Sequence, residues 1–414
     1  MFRRIASSVQ RLIASQSGGV AIQIGVGLVA LIGMVGLGTE GTFLLYKHRQ
    51  MQSAADSAAL SGALALSQAS PRDPVSEARA VAARLGFVHG AAQVAVTVTV
   101  PPASGSQTGN MQAVEVIISQ PQDLSIMRMF GDDTVNVGTR SVAVQSDVGR
   151  FCILALDPTT TEPMSMSKDA MIPGQCGVAV NSISDTVVAL PDNEVNFRVA
   201  TRGGWSLANG DPPIGTTWIQ PSTAITDPYA DVALQTAPAC TGQSGSGNDH
   251  ITLNLTPGRF CDGWDFADTV VLNLAAGSYY IDTKLSLLGG VVVNGTDGVT
   301  LIVNGDYAMD FGDNTVLNLT APPSGDYAGL VFFGRRDATS TVVQKFSNAV
   351  TMNIQGAIYF PNQILEIDND GSASPSGCTH VIARTIPILN NAKLSNNCLG
   401  TGVRPISPPA RLAE

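Results

Sequence analysis

The apolar and polar positions divide the chain into three stretches with different periods. From residue 18 to residue 38 there is no charged side chain in 21 positions. At a rise of 1.5 Å per residue such a helix spans roughly 31 Å, which matches the hydrocarbon core of a bilayer. Past Tyr46 the helical period continues to Ser67, now with small residues on its apolar stripe: Ala55, Ala58, Ala59, Gly62 and Ala63, then Leu66. Such a seam admits a sheet or a partner helix at close range. After Pro71 and Pro74, residues 76–87 predict a second helix. Strands follow at 92–100 and 114–119, then a short helix at 124–130 and a strand at 135–144.

Beyond Arg150 the pattern changes to short apolar runs, at 279–281, 285–288, 291–293, 299–303, 307–311, 316–319 and 330–333, with Asn294-Gly295 and Asn304-Gly305 read as turns. Two topologies fit such returning strands. One is a sandwich of hairpins, for which Asn-Gly is a turn signal; the other is a right-handed parallel β-helix, whose coils stack their strands. No strict hexapeptide or nonapeptide period is present. Val291-Val292-Val293, Leu301-Ile302-Val303 and Leu330-Val331-Phe332-Phe333 are continuously apolar rather than alternating. Strands buried in a solenoid read this way, which favours the β-helix. Residues 180–260, with Trp205, Trp218 and a glycine-rich stretch from Gly242 to Gly247, break the pattern and predict long loops or an excursion from the solenoid.

The expected fold is therefore mainly β, with a transmembrane helix, a small α+β module and a parallel β-helix. The expected boundaries are a cytoplasmic stub at 1–17, an anchor at 18–46, a helical stalk and α+β module at 47–147, the β-helix at 148–400 and a flexible tail at 401–414. A composition of 42 Gly and 23 Pro with only 14% charged residues agrees with short strands and tight turns.

Charge and cysteine sharpen the picture. The net charge is -10, yet the first fifty residues carry Arg3, Arg4, Arg11, Lys47 and Arg49 against Glu40 alone, leaving -14 on the remainder. Nucleic acid is not an expected partner of so acidic a body. The basic bias ahead of the apolar stretch predicts a cytoplasmic N-terminus, and the stretch exceeds the 7 to 15 residues usual in a signal peptide. All six cysteines (Cys152, Cys176, Cys240, Cys261, Cys378 and Cys398) then lie on the oxidising side. Their three sequence-local pairs suit disulfides closing loops of roughly 20 residues, each stabilising by about 3 kcal/mol; buried free thiols are the alternative. His48, His89, His250 and His380 are far apart and no Cys-x-x-Cys occurs, so the spacing predicts no metal site. Glu40, at the outer edge of the apolar stretch, reads either as an interfacial carboxylate or as a contact to an assembly partner. Ala30, Gly33 and Gly36 offer a second, weaker small-residue row.

Several segments resemble a known family. Gly18-Gly19-Val20-Ala21-Ile22, the exit Gly36-Leu37-Gly38-Thr39-Glu40 and above all Gln52-Ser53-Ala54-Ala55-Asp56-Ser57-Ala58-Ala59-Leu60-Ser61-Gly62-Ala63 are similar to the TadE/TadG-like proteins of tight-adherence (Flp) pilus assembly. Where the TadE branch has a Glu five residues after a Gly, as in prepilin processing, this chain has Gln23 after Gly18, so the anchor is expected to stay attached. Some relatives carry a von Willebrand-type metal site; Asp157, Thr159 and Thr161 are its nearest match here. Residues 151–158, 327–330, 356–363 and 394–398 look like the β-helical extension of some TadG-like proteins. The resemblance implies a non-enzymatic, single-pass inner-membrane component of pilus assembly. Its expected partners are the lipid bilayer and other pilus-assembly membrane proteins, with surface glycans as a further candidate and no cofactor.

A membrane-tethered polysaccharide-binding or polysaccharide-cleaving β-helix protein is the alternative. Its candidate acids are Asp262 with Asp265, Asp310 with Asp313, and Asp368 with Asp370, near Arg335 or Arg336. Turn capping explains the same acids without catalysis. No nucleophile elbow, phosphate loop or dinucleotide fingerprint is present.

Overall fold

The computed structural model describes residues 18–66, 73–125, 128, 133–145, 151–166, 176–185, 188–190, 198–204, 206–207, 217–219, 224–312, 314–346, 350–368, 377–389, 398, 401–408 and 410–414. The chain divides into two units, Met1–Val144 with Ala410–Glu414, and Gln145–Pro409. The expected stub at 1–17 and most of the short helix expected at 124–130 lie outside the described residues.

In the first unit, helix α1 (Gly18–Leu66) is followed by α2 (Pro74–Arg84). Asp73 caps α2, its carboxylate accepting from the N–H groups of Val75 and Ser76, and Pro74 supplies the fixed φ of the first turn. Strands β1 (Ala95–Thr99), β2 (Ala113–Asp123) and β3 (Thr134–Val144) form an antiparallel sheet. Val96, Val98, Val114, Val116 and Ile118 present one face to the two helices.

The fourth strand of that sheet is a correction. Residues 401–414 are expected as a flexible tail, yet Arg411–Leu412 pairs antiparallel with Val144 and Ala143 of β3. Upstream, in the second unit, Ile406 is buried and bridges Phe151. Pairing with a free sheet edge and burial of an isoleucine outweigh the entropy that the prolines alone would suggest.

The second unit is a parallel β-solenoid, so the hairpin sandwich is excluded. Its strands are β4 (Phe151–Ala155), β5 (Met164–Met166), β6 (Gly177–Val180), β7 (Val188–Leu190), β8 (Arg198–Thr201), β9 (Ser206–Leu207) and β10 (Thr217–Ile219). After a long connection come β11 (Ser246–Gly247), β12 (Thr252–Leu255), β13 (Gly258–Phe260), β14 (Trp264–Phe266), β15 (Val271–Leu274), β16 (Gly277–Ile281) and β17 (Leu285–Leu287). Then follow β18 (Val292–Gly295), β19 (Val299–Val303), β20 (Met309–Phe311), β21 (Val316–Thr320), β22 (Leu330–Gly334), β23 (Val343–Phe346), β24 (Thr351–Asp368) and β25 (Thr379–Leu389). Every pairing among them is parallel.

From β12 to β24 each coil contributes three strands, one to each wall. The first wall stacks β13, β16, β19, β22, the middle of β24, β25, β4, β6, β8 and β10. A second wall runs β11, β14, β17 and β20, and further along holds β23, the end of β24, the end of β25, β5, β7 and β9. The third is β12, β15, β18, β21 and the start of β24. At the corner into β16, Gly277 has φ +138 and an added Cβ would lie 2.4 Å from Pro257 Cγ, so only glycine turns there.

The spatial order does not follow the chain. The solenoid begins in its middle, at β4, and grows outward to β10. The connection then carries the chain to the opposite end, from which β12 to β25 coil back until β25 docks on β4, Val381 opposite Ile153 and Ile382 opposite Leu154. The described part of the connection, from residue 224, straps the outside of the first wall. Asn181, just past β6, exchanges two hydrogen bonds with the backbone of Ile225, and at the far end Thr241 N–H donates to Arg259 O in β13. Ile225, Tyr229 and Val232 of the strap pack on Leu154, Ala179, Ala200, Tyr280, Ile302, Phe333, Tyr359 and Ile382. The continuously apolar runs 301–303 and 330–333 thus have a second cause: inward residues fill the solenoid, and Ile302, Leu330 and Phe333 pack in the cluster under the strap. Asn294-Gly295, expected as a turn, lies inside β18.

Candidate functional site

Helix α1 is built for two environments. Ile24, Val26, Leu28, Val29, Leu31, Ile32, Met34, Val35 and Leu37 are each more than half exposed. Its most apolar 18-residue window has a mean hydropathy of 1.8, long and apolar enough to cross a membrane. The side chains of Gln23 and Ala30 are outside the described residues, and a Cβ added at Gly33 would meet nothing within 4 Å. Glu40 accepts a hydrogen bond from the N–H of Ser125, just past β2. Of the two readings of this acid, the structure thus adds a third, a tie to the chain's own backbone.

The alanine seam is also spent within the unit. Ala55, Ala58, Ala59 and Ala63 are fully buried against the sheet and α2, and at Gly62 an added Cβ would lie 3.0 Å from Val114 Cγ1 and 3.2 Å from Ala78 Cβ. Of the sheet or partner helix that such a seam is expected to admit, the sheet takes it together with the chain's own α2, so these five residues are covered within the unit.

Glu115 lies on the opposite face of that sheet, buried, and accepts from Arg140 Nε at 2.6 Å, Thr99 Oγ1 at 2.8 Å, Ala103 N at 3.0 Å and Ser104 Oγ at 3.0 Å. Burial pushes its pKa up, but these donors outweigh burial and bring it down to about 2. Arg140 pairs in turn with Glu414. Nothing in the sequence spacing pointed to this network, because its members come from β1, β2, β3, a loop and Glu414.

On the solenoid, Cys152–Cys176, Cys240–Cys261 and Cys378–Cys398 form disulfides, with Cα separations of 5.5, 5.8 and 4.7 Å. The first and last staple solenoid segments; the second ties the end of the strap to the coil it reaches. Asp157 does not assemble a von Willebrand-type site. Its Oδ1 accepts from the N–H of Thr159 and Thr160 at 2.9 and 2.8 Å, and its Oδ2 pairs with Arg384 at 2.9 Å, a cation already in place.

Two of the candidate catalytic acids pair with lysines, Asp265 with Lys284 at 2.7 Å and Asp368 with Lys345 at 3.1 Å. Asp313 and Asp370 lie outside the described residues. Arg335 pairs with Asp337. Arg336 donates to the strap carbonyls of Tyr229 and Val232 and, at 2.6 Å, to Tyr359 Oη, while Tyr359 donates to Asp227 at 2.7 Å. Arg336 thus fastens the strap to the wall.

The third wall carries an asparagine ladder on its outer face. Asn273, Asn294, Asn318 and Asn353 each donate their amide to the asparagine one coil back, at 3.0, 3.1, 2.9 and 2.8 Å, with Asn254 at the end. The signal was legible as an apolar-Asn-apolar triplet at every rung but Val293-Asn294-Gly295, and the intervals of 19, 21, 24 and 35 residues hid it from any search for a fixed period.

The histidine spacing predicted no metal site, yet folding gathers Cys378, His380 and Cys398 so that their ligand atoms all lie within 4.8 Å of one another. Cys-Thr-His at the start of β25 and a cysteine returning 20 residues later supply the set.

Together these features define a class: a β-solenoid protein with a small α+β module built on one long, exposed apolar helix. Residues 18–66 match the TadE/G-like family of Flp pilus assembly. The match covers α1 and ends with it. No curated protein matches the chain. No solved structure matches it either.

Proposed function

We propose that this chain is a membrane-anchored structural component of a tight-adherence (Flp-type) pilus assembly or a related surface apparatus. The observation that carries the reading is the coincidence of the family match, residues 18–66, with one helix whose first half is an exposed apolar cylinder and whose second half is the packing spine of a folded module. The apolar half fixes the protein in the inner membrane with its N-terminus in the cytoplasm. The solenoid then presents a long, rigid outer surface beyond the bilayer, and the disulfides fit the oxidising compartment that this orientation supplies. Its partners are other pilus-assembly membrane proteins.

We read the chain as non-enzymatic. Support comes from three of the acids singled out on the solenoid, Asp157, Asp265 and Asp368, each paired with a neighbouring cation.

The test is genetic and topological. Deletion in the bacterial host is expected to abolish surface pili, with rescue by the full chain but not by a chain lacking residues 18–46. A reporter fused behind Arg150 is expected to be active only outside the cytoplasm. Normal piliation after deletion overturns the reading.

A further inference from the structure

His380 occupies an unusual place. It stands on the same side of β25 as Ile382, paired in register with Ala357, in the wall whose outward residues Leu154, Ala179, Tyr280, Ile302 and Phe333 belong to the apolar cluster under the strap. It is 1% exposed and Cys378 is fully buried, while Cys398 is half-buried. The Nε2 atom of His380 lies 3.4 Å from Cys398 Sγ. A disulfide sulfur is a poor partner for an imidazole, being only a weak acceptor. A thiolate or a metal ion is a strong one. The imidazole therefore gains little from the oxidised pair and much from the reduced one.

We propose that Cys378, His380 and Cys398 form a redox-gated zinc site. When oxidised, the two sulfurs are the disulfide that holds residue 398 on the wall. An external dithiol opens it: one thiolate attacks the half-buried Cys398 sulfur and releases Cys378, and the second thiol resolves the mixed disulfide. The reductant leaves as its own disulfide and its two protons pass to the protein sulfurs. Zinc then displaces both protons and takes the lone pair of His380 Nε2, giving a two-thiolate, one-imidazole set. Zinc–sulfur bonds of about 2.3 Å at a tetrahedral angle need the sulfurs roughly 3.8 Å apart. The Cα separation of 4.7 Å permits this by side-chain rotation alone. The cysteine side that remains half-exposed leaves the fourth position to water. Zinc would thus keep the crossing chain fastened where the disulfide cannot persist.

The experiment uses the full chain in detergent micelles, reduced without oxygen and titrated with cobalt and with zinc. The reduced chain is expected to develop a thiolate-to-cobalt charge-transfer band and the oxidised chain none. His380→Gln is expected to weaken zinc binding by at least about 100-fold, since even a partner outside the ligand shell is worth ~10–100-fold. The double variant Cys240→Ser, Cys261→Ser is expected to bind as the parent does. His380→Cys provides a third thiolate and is expected to keep the band at greater intensity, which serves if the glutamine variant fails to fold. Absence of the band in the reduced parent, equal zinc affinity in His380→Gln, or loss of the band in His380→Cys overturns the proposal.

Discussion

Glu115 shows how one buried carboxylate can hold a module together. Four donors converge on it, and leaving any of them without a partner in a buried site costs on the order of 1–3 kcal/mol. Its pKa is depressed from an ordinary value of 4.5 to about 2, so its contribution is complete above the ordinary value and is lost as pH falls toward 2. A depression of this size corresponds to on the order of 3 kcal/mol. Melting temperature is therefore expected to hold steady above about pH 5 and to drop steeply below it. Glu115→Gln should lower the neutral-pH melt and flatten that acid limb; an unchanged limb would show that other groups set it. The seam residues act at the same scale by being small. Ala58→Leu pushes three extra carbons into a helix-to-sheet contact with no slack and is expected to cost about 1–3 kcal/mol, read as a lower denaturation midpoint.

At the scale of elements, the asparagine ladder and the two-part helix carry the argument. Each internal asparagine both donates to one neighbour and accepts from the next, while Asn254 accepts only. Asn294→Ala breaks two amide bonds, at 3.1 and 2.9 Å, and is expected to cost about 1–3 kcal/mol in a chemical melt. Asn254→Ala breaks one, at 3.0 Å on an exposed rim, and is expected to cost roughly half as much. Equal losses at the two positions would mean that the cost is not set by the number of rungs broken. In α1, the exposed apolar residues from Ile24 to Leu37 and the buried ones from Met51 to Ala63 share a helix without sharing an environment. Helical propensity runs through both halves, and burial separates them.

Across the solenoid as a whole, cooperativity depends on a joint that the chain makes late. The segments 151–219 and 252–389 meet where β25 lies against β4, and the strap runs over both. Stacked repeats unfold together only as far as neighbouring coils couple. Leu156→Pro deletes the hydrogen bond that the Leu156 N–H donates to Ala383 O at that joint. It is expected to split one calorimetric transition into two, whereas the same substitution elsewhere should only lower the midpoint. Reduction of Cys240–Cys261 frees the strap's far end; the 21-residue separation predicts a loss of about 3 kcal/mol.

The sequence by itself determined the elements whose cause is local. The uncharged run from 18 to 38, the capped helix after Asp73, the strands of the first sheet and the short returning strands of the solenoid follow from period, turn chemistry and apolar spacing. Cysteine proximity along the chain likewise anticipated pairing within each local couple. Tertiary structure decided everything that depends on residues distant in sequence. It chose the sheet over a partner for the alanine seam, drew the last residues into β3's edge, started the solenoid in its middle and laid the strap over the apolar wall. It also brought Cys398 to His380. Such contacts are set by which surfaces remain to be buried once the coils have stacked, and no local pattern encodes that remainder.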